Sequence, residues 1–457
     1  MDMPGNIIDA FGVSYNLGKK IGEGSQGETF ILEGGKYIAK LFKRTSNNTE
    51  LKSKINFLIN LQLDRKYFAT PLKEITAPGV GYISEFASEM ESLSGLRWHQ
   101  GITDLSSWYE TTGGLFKRYG VLIKLAMSLR TLHAKGLVYC DLSPNNVFIS
   151  KNPNKHNVFL IDLDNLRYKT SIIHNIYTPN YGAPEVVKNL APNTPMSDCY
   201  SFAVIAYEML ALNHPLKGDM VNEGEPELEE KAIRGELPWV EDTKDDSNRR
   251  ETGIPSEAFI THSLQKLFHR TFEDGLNDPM MRPSIGEWVD ALNDGINELL
   301  SCPDCHTHYP YRNSNSCPFC GRKPSVPVRV KIQRWEESEY YDAPSNDVKK
   351  RFELQPLIVD EMYIDEVTQR YIKANHLLSI YDDYDTPIAK IGVEDLGENI
   401  RLIVEPINDF TLFFRVDEID LEGDFSERKT FRFNPHRHNT MIIGIKSFKT
   451  PQRVLVI

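Results

Sequence analysis

Residues 138–149, VYCDLSPNNVFI, set a carboxylate and a carboxamide, Asp141 and Asn146, five residues apart directly after a long amphipathic segment. That segment, about Phe116 to Lys135, carries Leu122, Leu125, Ala126, Leu129 and Leu132 on one helical face, and Gly136 suits its C-terminal stop. Further on, Asp162 follows four apolar side chains, Val158, Phe159, Leu160 and Ile161. A carboxylate ending a buried strand is costly unless a metal or another cation compensates it. For either aspartate alone, capping a turn is an equally good reading. The ordered set excludes far more folds than either residue does.

The N-terminal part adds a third element. Gly22, Gly24 and Gly27 in IGEGSQGETF have the G-x-G-x-x-G spacing, which lets backbone approach phosphate oxygens. By itself the spacing also marks ordinary hairpin turns. A strand-like run, YIAKLF, follows instead of a helix, so a hairpin fits better than a dinucleotide-binding turn. Lys40 lies in that run between Ile38, Ala39, Leu41 and Phe42. It reads either as a solvated edge lysine or as a cation held for nucleotide phosphates. At Asp141 a carboxylate can orient a hydroxyl and accept its proton, and the Asn146 amide can ligate Mg²⁺.

In this order the residues resemble the eukaryotic-like protein kinase family, over roughly Tyr15 to Leu300. The resemblance implies an α+β fold with two lobes, and a cleft that binds ATP and Mg²⁺. It makes Gly22, Gly24 and Gly27 the glycine-rich loop and Lys40 the lysine on the α- and β-phosphates. Asp141 becomes the catalytic aspartate, with Asn146 and Asp162 the magnesium ligands. Ser84, Glu85 and Phe86 look like the hinge whose backbone binds adenine. Ala183-Pro184-Glu185 is an intact A-P-E, Arg282 resembles the arginine that pairs with Glu185, and Asp198 resembles the structural aspartate of the next helix. Thr178, seven residues before Glu185, favours Ser/Thr over Tyr as acceptor; otherwise it is a turn residue before Pro179.

The departures carry as much information. Tyr139-Cys140-Asp141 stands where the family has His-Arg-Asp, which removes a partner for a phosphorylated activation segment. Ser143 replaces the usual lysine and takes a positive charge from the transferring phosphoryl group. D-F-G has become Asp162-Leu163-Asp164, losing the freedom of the glycine. Asp164 reads as a turn hydrogen-bond acceptor or a second metal ligand. Glu50 is the only glutamate in the candidate helix, about Thr49 to Leu63, and thus the expected partner of Lys40.

After this region Cys302, Cys305, Cys317 and Cys320 give C-x₂-C-x₁₁-C-x₂-C. Four thiolates at that spacing suit one tetrahedral Zn²⁺ with no open ligand position, hence a structural site. Disulfides compete with this reading, but are rare in the cytosol. His306 and His308 read as surface residues. The pattern resembles a zinc ribbon, and kinase domains followed by such a ribbon are similar to a group of atypical bacterial kinases. The tail, with runs VRVKIQRW, LLSIYDD, NIRLIVEP, FTLFFRV, KTFRFN and RVLVI, reads as a small mainly-β domain. The expected division is 1–300, 301–324 and 325–457.

Lys+Arg 52 against Asp+Glu 64 gives a net charge of −12, which argues against general nucleic-acid binding. Arg312, Arg322 and Lys323 add little basic character to the ribbon, so a protein partner on the ribbon or tail is the expectation. Tyr381, Asp382, Asp383 and Asp385 give the tail an aromatic and acidic patch. The first twenty residues lack a signal-peptide pattern. The longest apolar stretch, Tyr200 to Leu212, falls short of the roughly 20 residues that cross a bilayer. A cytoplasmic enzyme without membrane contact is expected. Two functions follow: a Ser/Thr protein kinase acting on protein substrates, or a pseudokinase scaffold that binds nucleotide or partners without efficient transfer.

Overall fold

The computed structural model describes residues 5–457 except 25–26, 44–47, 100, 171–174, 251–254, 312–315, 324, 343–346, 379–382, 396–398, 417–420, 434–439 and 447–451. Arg312, Tyr381 and Asp382 lie outside the described residues. The chain packs as two compact units, Met1–Ile254 with Leu264–Asp290, and Pro255–Ser263 with Ala291–Ile457. Among the described residues no helix is long and apolar enough to cross a membrane.

The first unit opens with a closed antiparallel barrel of six strands, in the order β1 (Asn6–Asp9), β2 (Ser14–Glu23), β3 (Gly27–Leu32), β4 (Tyr37–Phe42), β6 (Gly81–Glu85) and β5 (Lys73–Ala77). Period-two alternation puts Ile7, Leu32, Ala39, Ile75 and Ile83 inside. Strand β1 was not anticipated; it closes the barrel by pairing Ile8 with Ala77. In the β-branched run FATPLKEI, residues 68–75, only Lys73 onward lies in strand β5. A helix, α1 (Asn48–Asn60), buries Ile55 and Leu58.

Beyond the barrel the unit is mainly helical. The helix Gly114–Ala134 buries Leu122, Leu125, Ala126, Leu129 and Leu132 completely. The apolar stretch near Tyr200 is a core helix, Pro195–Ala211, entered through a Thr194/Ser197 capping box. These two helices pack on each other. Two short antiparallel pairs carry the chemistry-bearing loops. Val147–Ser150 pairs with Val158–Leu160, and Leu137–Val138 with Arg167–Tyr168.

The second unit holds a six-stranded and a four-stranded antiparallel sheet. Val330, Ile332, Met362, Ile372, Ile391, Leu402 and Ile443 fill one core. In Ile400–Pro406 the alternation is clear: Ile400, Leu402 and Val404 point inward. LLSIYDD is not a strand where it is described. Leu377 ends a short helix, Ala374–Leu377, and Leu378 follows it in extended backbone. Leu300, Cys302, Tyr309 and Cys317 share a small core with Tyr363 of a long strand, Asp347–Ile364.

Candidate functional site

The glycine loop bridges β2 and β3. A Cβ at Gly27 would lie 2.3 Å from the Leu41 carbonyl oxygen, so this glycine is required by close packing on β4. A Cβ at Gly22 would meet only Thr29 at 3.7 Å, and one at Gly24 would meet nothing within 4 Å. These two therefore leave open space where a phosphate can approach. The Gly24 N–H closes the turn onto the Gly27 carbonyl at 2.9 Å.

Lys40 lies opposite Thr29 in β3 and Tyr82 in β6. Its Nζ forms ion pairs with both Asp162 and Asp164. Burial disfavours this ammonium, but the carboxylates of Asp164 and Asp162 more than offset it and hold its pKa above the ordinary lysine value. Asp164 therefore departs from both sequence readings: it is a buried partner of Lys40, with its side chain 1% exposed, against 35% for Asp162. Glu50, the expected partner, is exposed in the first turn of α1, and Lys40 is paired with Asp162 and Asp164 instead. Both carboxylates arrive on the turn that follows a buried strand, Val158–Leu160.

Asp141 lies at the centre of a second group. Its Oδ1 accepts from the Thr178 hydroxyl at 2.6 Å. Asn146 Nδ2 donates to the Asp141 carbonyl at 2.8 Å and to its Oδ2 at 3.3 Å. Asn165, which sequence reasoning missed, donates to the same Oδ2 at 3.4 Å. The two groups are stitched together by backbone. The Ile161 N–H donates to the Asn146 carbonyl at 3.0 Å, and the Tyr139 hydroxyl donates to the Ile161 carbonyl just before Asp162. A phenol at the histidine place of His-Arg-Asp thus ties the two loops together. Burial, with Asp162 and Asp141 nearby, pushes that phenol well above the usual tyrosine range, so it stays a donor.

Asp198 fixes the loop from below. It accepts from the Tyr139 and Cys140 N–H groups at 2.7 and 2.9 Å and faces His133 Nε2 at 3.0 Å. Cys140 has φ +73° and Asp162 φ +57°. Left-handed backbone at non-glycine residues costs about 1–3 kcal/mol each and gathers at functional sites. Arg167 donates to the Cys140 sulfur at 3.0 Å, and burial pushes that thiol up to about 12, which makes it an inert packing group. Arg282, buried, binds Glu185 through two bonds of 2.8 Å.

At the predicted hinge, Ser84 is buried and its hydroxyl lacks a hydrogen-bond partner. Tyr37 pairs with Glu85 across the sheet. The Phe86 N–H is engaged by the Lys36 carbonyl at 3.0 Å, and its carbonyl by the Ser88 N–H at 3.0 Å. The Phe86 N–H is thus engaged by backbone, while its carbonyl keeps a second lone pair.

Residues 15–291, more than half of the chain, match the protein kinase domain model. The chain belongs to the protein kinase domain family. It is 35% identical over 89 residues to cAMP-dependent protein kinase type 3 of Saccharomyces cerevisiae, covering 19% of this chain and 21% of that one. It is 27% identical over 217 residues to human ribosomal protein S6 kinase alpha-2, covering 45% and 28%. It is 29% identical over 167 residues to mouse serine/threonine-protein kinase D2, covering 30% and 18%. The chain spans less than a third of the length of each of these curated relatives.

In the second unit the sulfur atoms of Cys302, Cys305, Cys317 and Cys320 all lie within 4.8 Å of one another. The pairs Cys302–Cys320 and Cys305–Cys317 are 3.5 and 3.6 Å apart, too far for disulfides, and all four are free thiols. Sulfurs about 2.3 Å from one zinc stand about 3.8 Å apart in a tetrahedron, so the donor set fits that metal. The two knuckles repeat one geometry. The Cys302 carbonyl accepts from the His306 N–H, and the Cys317 carbonyl from the Gly321 N–H, each at 2.9 Å. The fifth residue has positive φ in both, +60° at His306 and +75° at Gly321. Neither His306 nor His308 joins the cluster, and His308 is half-buried where a surface place was expected. Thr307 Oγ1, unanticipated, lies 2.9 Å from Cys305 Sγ.

Proposed function

We propose that the chain is a protein kinase that transfers the γ-phosphoryl group of magnesium-bound ATP to Ser or Thr hydroxyls of protein substrates. The observation that carries this reading is the Asp141 carboxylate held by Thr178 on one side and Asn146 on the other, stitched by backbone to the Lys40–Asp162 pair. Asn146 and Asp162 would hold the magnesium, which when bound neutralises charge on the phosphates. Lys40 binds the α- and β-phosphates under the Gly22–Gly27 loop. Asp141 orients the acceptor hydroxyl and takes its proton, and Thr178 fixes the Asp141 rotamer. The Glu185–Arg282 and Asp198 contacts hold that geometry, since such catalysis is mostly positioning and charge neutralisation. Ser/Thr rather than Tyr acceptors are supported by Thr178 and by similarity to serine/threonine-protein kinase D2.

The same reading gives the four cysteines a structural zinc, assigns 1–300 to catalysis, and leaves the ribbon and residues 325–457 to dock a protein partner in the cytoplasm. Ser143 in the usual lysine place and the altered Asp162-Leu163-Asp164 motif favour slow transfer and keep the scaffold reading as the alternative. The full chain should label a Ser/Thr substrate panel from labelled ATP. Asp141→Ala should cut the rate at least about a thousandfold while ATP still binds. Binding without transfer by the wild type sinks the kinase reading in favour of the scaffold.

A further inference from the structure

We infer that Asp164 is the standing counter-charge that positions Lys40, and that α1, which packs on this turn, turns a lysine, Lys54, toward the Asp164 charge rather than a glutamate toward Lys40. The inference rests on the reading of Lys40 as the phosphate-holding residue, and it moves the residue that orients Lys40 from the helix to the Asp162-Leu163-Asp164 turn.

Exposure separates the two carboxylates on Lys40. Asp162, at 35%, can turn toward solvent and a metal; Asp164, at 1%, cannot. A buried carboxylate is expensive unless paired, and removing its partner leaves an uncompensated charge. Asp164 is therefore bound to Lys40 by necessity, whereas Asp162 is not. The surroundings agree. Tyr82, the cross-strand neighbour of Lys40, is buried beside the same carboxylates; burial first, then Asp164, hold its phenol protonated. α1 packs on the Leu163–Asn165 turn. On that helix Lys54 is half-buried, and the Asp164 charge is the leading attraction on its ammonium. Glu50 is a turn earlier and exposed. Besides Lys40, the Tyr82 side chain bears on Asp164, and Lys54 is a second cation acting on it.

The inversion has a mechanical consequence. A helix glutamate arms the lysine only when the helix is in place. A carboxylate on the turn beside the magnesium ligand arms Lys40 whatever α1 does. It also accounts for the loss of the usual glycine of D-F-G, because a side chain is needed there.

The test uses the full chain with Asp164→Asn, Lys54→Glu and their combination, plus Lys40→Met. Asp164→Asn should weaken magnesium–ATP binding by about tenfold or more, as loss of an outer-shell partner does. Lys54→Glu added to Asp164→Asn should restore most of that affinity, because the carboxylate returns from the helix side; a merely structural Asp164 would not be rescued. Without nucleotide, melting should show that Asp164→Asn costs much less in the Lys40→Met background than in the wild type. Additive melting effects, or an unrescued double variant, overturn the inference. Coupled melting in a protein that binds no ATP leaves the inference standing and sinks the phosphate-holding reading instead.

Discussion

In the kinase-family unit Lys40 meets Asp162 across 122 positions of chain, whereas in the C-terminal unit Cys302 meets Cys320 across 18. The first cluster exists only after the barrel, the helices and two strand pairs have formed. Its parts are ions that repay burial only in the right geometry. The second needs two turns of similar shape, and its four sulfurs would gain most of their stability from a shared metal. A cleft assembled this way reports on the whole unit, while a cluster of cysteines reports on its own neighbourhood and on metal supply.

Metal removal should separate the two units most strongly. Structural zinc supplies roughly 10–16 kcal/mol in small zinc-dependent peptides. Replacing Cys302 and Cys305 by serine should abolish about one bound zinc per chain by metal analysis and erase the C-terminal melting transition. ATP affinity should stay within about twofold of wild type if the cleft is independent of the metal. Joint collapse of both transitions would break the comparison.

A smaller effect is expected from the ion pair between Glu185 and Arg282. Arg282→Gln leaves a mostly buried carboxylate unpaired and should cost about 3–5 kcal/mol in urea unfolding of the kinase-family unit only. Arg282→Lys should recover less than half of the loss, because lysine cannot reproduce the two-pronged contact.

Acid gives the smallest difference. His214 accepts the Leu216 N–H at Nδ1 and faces the Asn180 carbonyl through Nε2, so its buried ring is neutral. Burial, helped by Lys217, lowers its pKa to about 3. In the C-terminal unit burial, with Lys373 and Arg453, does the same to His376, also to about 3, against a weak pull from Asp360 at 3.8 Å. Both folded values lie below the unfolded one, so protons favour unfolding. Stability is complete above about pH 6.5 and is lost as pH falls toward 3, by about 2 kcal/mol per histidine at pH 5. The C-terminal unit should fall further, as its thiolates take protons and release metal. Calorimetry of the two transitions between pH 7 and 5 checks this. Equal losses would argue against a bound metal.

Legibility in the sequence followed the same division. The cysteine spacing is local, and its four members could be named from the chain alone. Asp141, Asn146, Asp162, Thr178 and the Glu185–Arg282 pair were also readable, because each sits in a short ordered motif. Asp164 was misread because nothing in a single sequence tells a solvated turn carboxylate from one 1% exposed. That distinction is made by Lys40 and Tyr82, two cross-strand neighbours far upstream. Asn165 and the Tyr139 hydroxyl were missed for the same reason: their partners are backbone and carboxylate atoms that only the tertiary fold brings near. Strand β1 is four residues long and carries no pattern strong enough to read.

Calorimetric titration of the full chain with ATP, with and without magnesium, addresses the convergence of Lys40, Asp141, Asn146 and Asp162 most directly. The wild type should bind at least about tenfold more tightly with the metal, and Asp162→Asn should erase that difference. Equal wild-type affinity in the presence and absence of magnesium would contradict a metal–nucleotide site in this cleft.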